Sequence, residues 1–197
     1  MNLKENIALT LTELIVATIV MGIVALGVGA VDVALRQSHH STSRNAIVAM
    51  RTSAIMLHVT KDVEMATGDR ADSGIRVDDP VNTTNIWIRR EDPTNPSPDP
   101  NSYVDDIWVS YTYDSGNHNL YYCTVPNNTT PCTTADQNLG TLANLRATPV
   151  FDETLGTQNF YLEVTLTNLF NPLTAADIYD NPQYQLTSRI APASSSF

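Results

Sequence analysis

The chain has 197 residues, enough for one domain and an anchor. Its formal net charge is −10 and it has no Lys/Arg cluster, which excludes the basic footprint that phosphate backbones require, so no nucleic acid is expected among its partners. Hydrophobic residues are an ordinary 42% of the chain, so their crowding at the N-terminus is what carries information.

Residues 1–8, Met1-Asn2-Leu3-Lys4-Glu5-Asn6-Ile7-Ala8, are short and polar with one basic residue. An apolar run follows, in which Glu13 is the last charge before Asp32. An ionised carboxylate at the end of a lipid-spanning helix is costly unless something neutralises it, which makes Glu13 a candidate functional residue. The plainer alternative is a Glu13 that snorkels to the headgroups. Leu14 to Val31 is 18 residues without a charge, roughly 27 Å of helix and close to the thickness of a bilayer core. The run is long for a signal-peptide core and no Ala-x-Ala cut follows it, so it reads as a retained anchor. A secretory signal or an ordinary single-pass anchor would gain nothing from an acid at its head. Gly22, Gly27 and Gly29 interrupt the run; they suit close helix approach, local unwinding or plain membrane-helix usage.

Beyond Val31 the helical pattern continues. Val48, Ile55, Val59, Val63 and Ala66 recur at helical steps and form one face, widened by Ile47, Met50 and Leu57, with Lys61, Asp62 and Glu64 off it. Thr67-Gly68-Asp69 supplies a stop, with Gly68 suited to a left-handed cap. One helix from about Leu9 to Thr67 is expected, roughly 90 Å long.

From Gly68 the texture turns to Gly, Asn, Asp, Pro and Thr with short β-prone runs. Strands are expected at Gly74–Val77, Asn85–Arg90, Ile107–Tyr113, Asn119–Val125, Asn144–Phe151, Phe160–Leu169 and Tyr184–Ile190. Asp114-Ser115-Gly116-Asn117 makes the turn of the clearest hairpin. Asp92–Asn101 is a proline-rich loop, Thr124–Asn138 an exposed Thr/Asn-rich one, and the tail after Ile190 is loose unless Phe197 docks.

The leader, Ala8, Leu9 and the following Thr10-Leu11-Thr12-Glu13-Leu14 together resemble the class III signal of type IV pilins and type II secretion pseudopilins. The β-part texture is most similar to the larger minor pilins and J-type pseudopilins: the helix Met56 to Gly68, the aromatic hairpin Val109-Ser110-Tyr111-Thr112-Tyr113, and late Asn-Pro pairs at Asn171-Pro172 and Asn181-Pro182. The family mostly has Gly and Phe where this chain has Ala8 and Leu9. The resemblance implies a pilin-like α+β fold: leader 1–8, transmembrane and filament-core helix 9–35, amphipathic half 36–67, and an antiparallel β domain 68–197. It implies that a prepilin peptidase/methylase cuts between Ala8 and Leu9 and methylates the new amine. Glu13 then pairs with the Leu9 amine of a neighbouring subunit. The partners implied are copies of the chain or related pilins and an inner-membrane assembly platform. The location implied is the cytoplasmic membrane, then a periplasmic or surface filament. A minor, tip or pseudopilin subunit acting as a binding or priming module is the alternative.

The only cysteines are Cys123 and Cys132. Spacing does not prove a bond, but an exported domain is where one persists, and a disulfide is expected over two free thiols. Asp69, Asp72, Asp78 and Asp79 cluster after the helix; without EF-hand spacing they read as a solvated acidic loop before a calcium site, and no cofactor or metal is expected. His39 and His40 are expected to face solvent, and His58 and His118 to be isolated. Asn82-Thr83-Thr84, Asn127-Asn128-Thr129 and Asn128-Thr129-Thr130 match a glycan-acceptor pattern, which predicts little in a prokaryotic chain. No nucleophile, metal-hydrolase or phosphate-loop motif occurs, so no catalytic activity is expected.

Overall fold

The apolar run and the amphipathic stretch after it form one continuous α-helix, α1 (Leu11–Glu64), of 54 residues, about 81 Å long. The computed structural model describes residues 10–68, 73–79, 84–96, 102–152 and 159–192. The leader 1–8, Ala8 and Leu9, Asp69 and Asp72, Asn82, the end of the proline-rich loop and Phe197 lie outside the described residues.

The helix starts at Leu11, because Thr10 is extended (φ −72°, ψ 152°) and caps it. It runs unbroken through Gly22, Gly27 and Gly29. From Leu11 to His40 every side chain is exposed. Its most apolar 18-residue window has a mean hydropathy of 2.6 and nothing of the chain covers it. By length and composition this segment is able to cross a membrane, as an anchor or as a signal sequence.

From Val48 the helix acquires a covered face: Val48, Thr52, Ile55, Met56, Val59, Asp62 and Val63 are buried. The expected stripe is there, with two corrections. Asp62, placed off the stripe by its charge, is buried in it, whereas Met50 and Leu57 are exposed at 65% and 71%. Sheet covers one side of the helix only, and those two side chains sit on the other. The helix also ends earlier than expected, at Glu64, with Met65 (φ −89°, ψ 4°) as its cap. Tertiary pairing overrides the glycine stop: Ala66 bridges to Arg90, and the Thr67 N–H donates to the Arg89 carbonyl at 2.9 Å.

Five strands follow as an antiparallel meander: β1 (Ile75–Asp78), β2 (Asn85–Arg90), β3 (Ile107–Asp114), β4 (Asn119–Val125) and β5 (Gln137–Thr141). Gly74 leads into β1 where a Cβ would overlap the Thr67 carbonyl, so this close approach of two backbones requires glycine. The sequence pattern reads β5 as loop, since Gln137-Asn138-Leu139-Gly140-Thr141 lacks alternation. It is a strand because the edge of β4 pairs with it, across a bulge between Leu120 and Tyr121 where Gly140 takes φ 132°.

The chain then leaves that sheet. Leu142 is fully buried, and the N–H groups of Leu142 and Ala143 donate to the His118 and Thr167 carbonyls at 2.8 and 2.9 Å. The remaining strands, β6 (Asn144–Asp152), β7 (Asn159–Leu169) and β8 (Gln183–Ile190), form a second antiparallel sheet in that order. The antiparallel β domain is thus built as two sheets, joined at this crossing. Helix α1 packs chiefly on β8 and β7. Leu162, Val164 and Leu166 of β7 face it, fully buried, and join Ile55, Val59, Val63, Ile86, Ile88, Val109, Tyr111 and Leu120 in one core. The fold is α+β, a long apolar N-terminal helix packed on antiparallel sheets.

Candidate functional site

Two constellations bring polar side chains to places where the sequence would otherwise be apolar: the head of α1 and the helix–sheet interface at Asp62. At the head, Thr10 and Glu13 form a capping box. The Glu13 N–H donates to the Thr10 hydroxyl at 3.3 Å, and the Thr10 N–H and hydroxyl donate to Glu13 Oε2 at 2.9 and 2.8 Å. Two N–H groups that have no partner within a helix are thereby satisfied. The spacing Thr-x-x-Glu ahead of an apolar run is a sequence signature of this cap, a signal the charge of Glu13 by itself does not carry. The cap works through Oε2, and Oε1 makes no hydrogen bond among the described residues. The acid is thus held at the tip of the rod with one oxygen available. The expected counterpart, the Leu9 amine, and the expected processing site at Ala8 and Leu9 lie outside the described residues.

Asp62 is 2% exposed. The Arg90 guanidinium from β2 donates to its Oδ1 at 2.7 Å, and the Tyr111 hydroxyl from β3 donates to its Oδ2 at 2.7 Å. His58, one turn earlier on α1, has its Nδ1 2.7 Å from the Tyr111 hydroxyl and its ring edge-on to Tyr122 of β4 at 4.7 Å. His58, expected to be isolated, is therefore part of a cluster. His118 also has a partner, with its Nδ1 3.2 Å from the Tyr113 hydroxyl. The Asp62 cluster fastens the last turns of α1 to three strands of the first sheet. Sequence offers no signal for it, because Asp62 and its partners are 28 and 49 residues apart.

Burial, and then the neighbouring Asp62 charge, push the Tyr111 hydroxyl far above its ordinary value of 10.0. An unfolded Tyr111 loses its proton near pH 10 while the folded one keeps it. Stability from this residue is thus whole below pH 10 and falls above it, by up to about 1.4 kcal/mol per pH unit. Denaturant unfolding between pH 9 and 11.5 is expected to show this slope, and Tyr111→Phe to flatten it. An equal slope in both proteins would contradict the assignment.

No protein-family model, curated protein or solved structure matches this chain.

The remaining candidates are placed as follows. Cys123 and Cys132 form a disulfide, with Cα atoms 5.6 Å apart. The loop it closes folds back on the sheet: Trp87 Nε1 donates to the Thr130 carbonyl at 2.8 Å and the Cys132 N–H to Thr112 Oγ1 at 2.8 Å. Asn127 Oδ1 accepts from the Thr129 and Thr130 N–H groups at 3.0 and 3.1 Å, which fixes the loop's turn. Asp136 stands near both sulfurs, but bonded to each other they are not the thiolates a metal takes. Of the acidic cluster, Asp78 accepts from Asn85 Nδ2 at 3.3 Å and Asp79 sits at φ 44°. His39 and His40 are exposed, as expected.

Proposed function

We propose that this chain is a structural subunit of an extracytoplasmic filament of the type IV pilin kind. Its leader is removed between Ala8 and Leu9, and Glu13 pairs with the Leu9 amine of a neighbouring copy. One observation carries the reading: an apolar helical rod from Leu11 to Val31 that its own domain nowhere covers, headed by a single acid. Lipid covers such a rod before assembly, and other rods cover it afterwards. Apolar helices gain little hydrophobic energy by exchanging lipid for one another, so close packing and polar pairing must drive the step. A carboxylate facing a neighbour's ammonium supplies direction, since its alternative is an unpaired charge in hydrocarbon.

The cap supports this mechanism. It fixes the carboxylate at the helix tip before assembly, and the amine of another copy meets an acceptor that is already oriented. The partners are copies of this chain or related subunits, with a prepilin peptidase/methylase and a membrane assembly platform upstream. The location is the cytoplasmic membrane, then the filament. The role is assembly, with no reaction catalysed. Shearing native cells without detergent tests the reading: the chain is expected in the polymeric fraction with methylated Leu9 as its first residue. A chain that stays wholly with the membrane and keeps residues 1–8 would overturn it.

A further inference from the structure

The second half of α1 carries a ridge that its own domain leaves bare. Ala46, Met50, Ala54, Leu57 and Lys61 recur at steps of four, four, three and four, which places them on one side of the helix. All five are exposed, Met50 and Leu57 at 65% and 71%. Two large apolar side chains aligned on a solvated helix face mark a contact surface.

Charge identifies what covers it. Between Val33 and Lys61 the chain has Arg36, Arg44, Arg51 and Lys61 and no acidic residue. Arg36 pairs with Asp32 and Arg44 with Asp180. Arg51 and Lys61 are exposed and make no ion pair among the described residues. Beyond α1, from residue 65 onward, Asp and Glu outnumber Arg sixteen to six. The stretch of α1 from Val33 to Lys61 is net basic, with Lys61 on the ridge, Arg51 beside it and the exposed Glu64 one turn beyond, while the domain that follows is net acidic, and opposite charges of this kind attract.

Height excludes the chain's own membrane as the cover. Because α1 is one unbroken rod, Met50 lies about 28 Å and Leu57 about 39 Å beyond Val31 along the axis. A tilt of about 40° still leaves Met50 more than 20 Å out, past the headgroups. The β domain packs beside the same part of the helix, where Ser41 donates to the Ile178 carbonyl and Ala66 bridges to Arg90. Two copies anchored in one bilayer therefore hold ridge and acidic domain at equal height.

We propose that the Ala46–Lys61 ridge is covered by the acidic β domain of a second copy of this chain, standing side by side in one membrane before any axial assembly. This rests on the anchoring part of the proposed function and not on the Glu13 pairing. Sedimentation equilibrium of the full chain in density-matched detergent tests it. The wild type is expected to self-associate, about tenfold more weakly at 500 than at 50 mM NaCl. Met50→Ser with Leu57→Ser, and separately Arg51→Glu with Lys61→Glu, are expected to weaken association at least about tenfold with Tm unchanged. A monomeric wild type, or variants of either pair that associate normally, would overturn the proposal. A monomeric chain beside intact native filaments would remove the ridge contact and leave the filament reading standing.

Discussion

Glu13→Gln is expected to cut filament incorporation about a hundredfold or more while leaving α1 capped and the β domain folded. Glutamine serves as well as glutamate at the third position of a capping box, so the bonds from Thr10 persist. What disappears is the charge. Taking one partner from a buried ion pair costs about 3–5 kcal/mol, because the ammonium left behind has no counter-charge. Glu13→Ala removes cap and charge together. The pair of variants therefore separates the two jobs of this side chain: the cap seen here, where Thr10 donates to Oε2 at 2.9 and 2.8 Å, and the proposed pairing between copies. Incorporation is read as the ratio of sheared to membrane-held chain. If Gln assembles like the wild type and Ala fails, Glu13 acts through the cap and the pairing is wrong.

Asp62→Ala is expected to destabilise the full chain by about 3 kcal/mol or more. The substitution strands the Arg90 guanidinium, whose side chain is 20% exposed, and leaves the Tyr111 hydroxyl only the His58 carbonyl and ring nitrogen, at 3.2 and 2.7 Å, in place of a charged acceptor. The partly wet Arg90 places the loss at the lower end of the range for broken buried pairs. Tyr111→Phe removes a donor and leaves the Asp62–Arg90 pair, so about 1–2 kcal/mol is expected from it. Denaturant unfolding in detergent, followed by tryptophan fluorescence, measures both; Trp87 and Trp108 lie on the sheet that the cluster fastens. A loss under 1 kcal/mol for Asp62→Ala would show that the cluster contributes little to holding helix and sheet together.

The fold was legible wherever periodicity and burial agree. The stripe Val48, Ile55, Val59, Val63 and Ala66 and the strand Leu162, Val164, Leu166 bury the side chains their pattern selects, and the apolar run forms the bare helix its length and composition select. The hairpin Ile107–Val125 was legible from its turn residues, and Asp114 bonds the Gly116 and Asn117 N–H groups as such turns do. What was not legible depends on distant partners. Strand β5 exists because β4 offers an edge. The helix stops at Glu64 because Thr67 has a partner at Arg89. Asp62 is buried because Arg90 and Tyr111 arrive from other strands, and no local pattern announces a charge whose partners are 28 and 49 residues away. At the helix head, the charge of Glu13 points to pairing and its spacing from Thr10 to a cap, and the structure shows the cap. The cysteine pair was legible only as an expectation, since spacing does not fix a bond.

The placement of Glu13 relative to the Leu9 amine of the next copy, in a map of the native filament that resolves side chains, tests the assembly mechanism most directly. The pairing predicts an ammonium within about 4 Å of the carboxylate, the reach of an ion pair. A filament in which Glu13 faces only its own Thr10, with every Leu9 amine elsewhere, would contradict it.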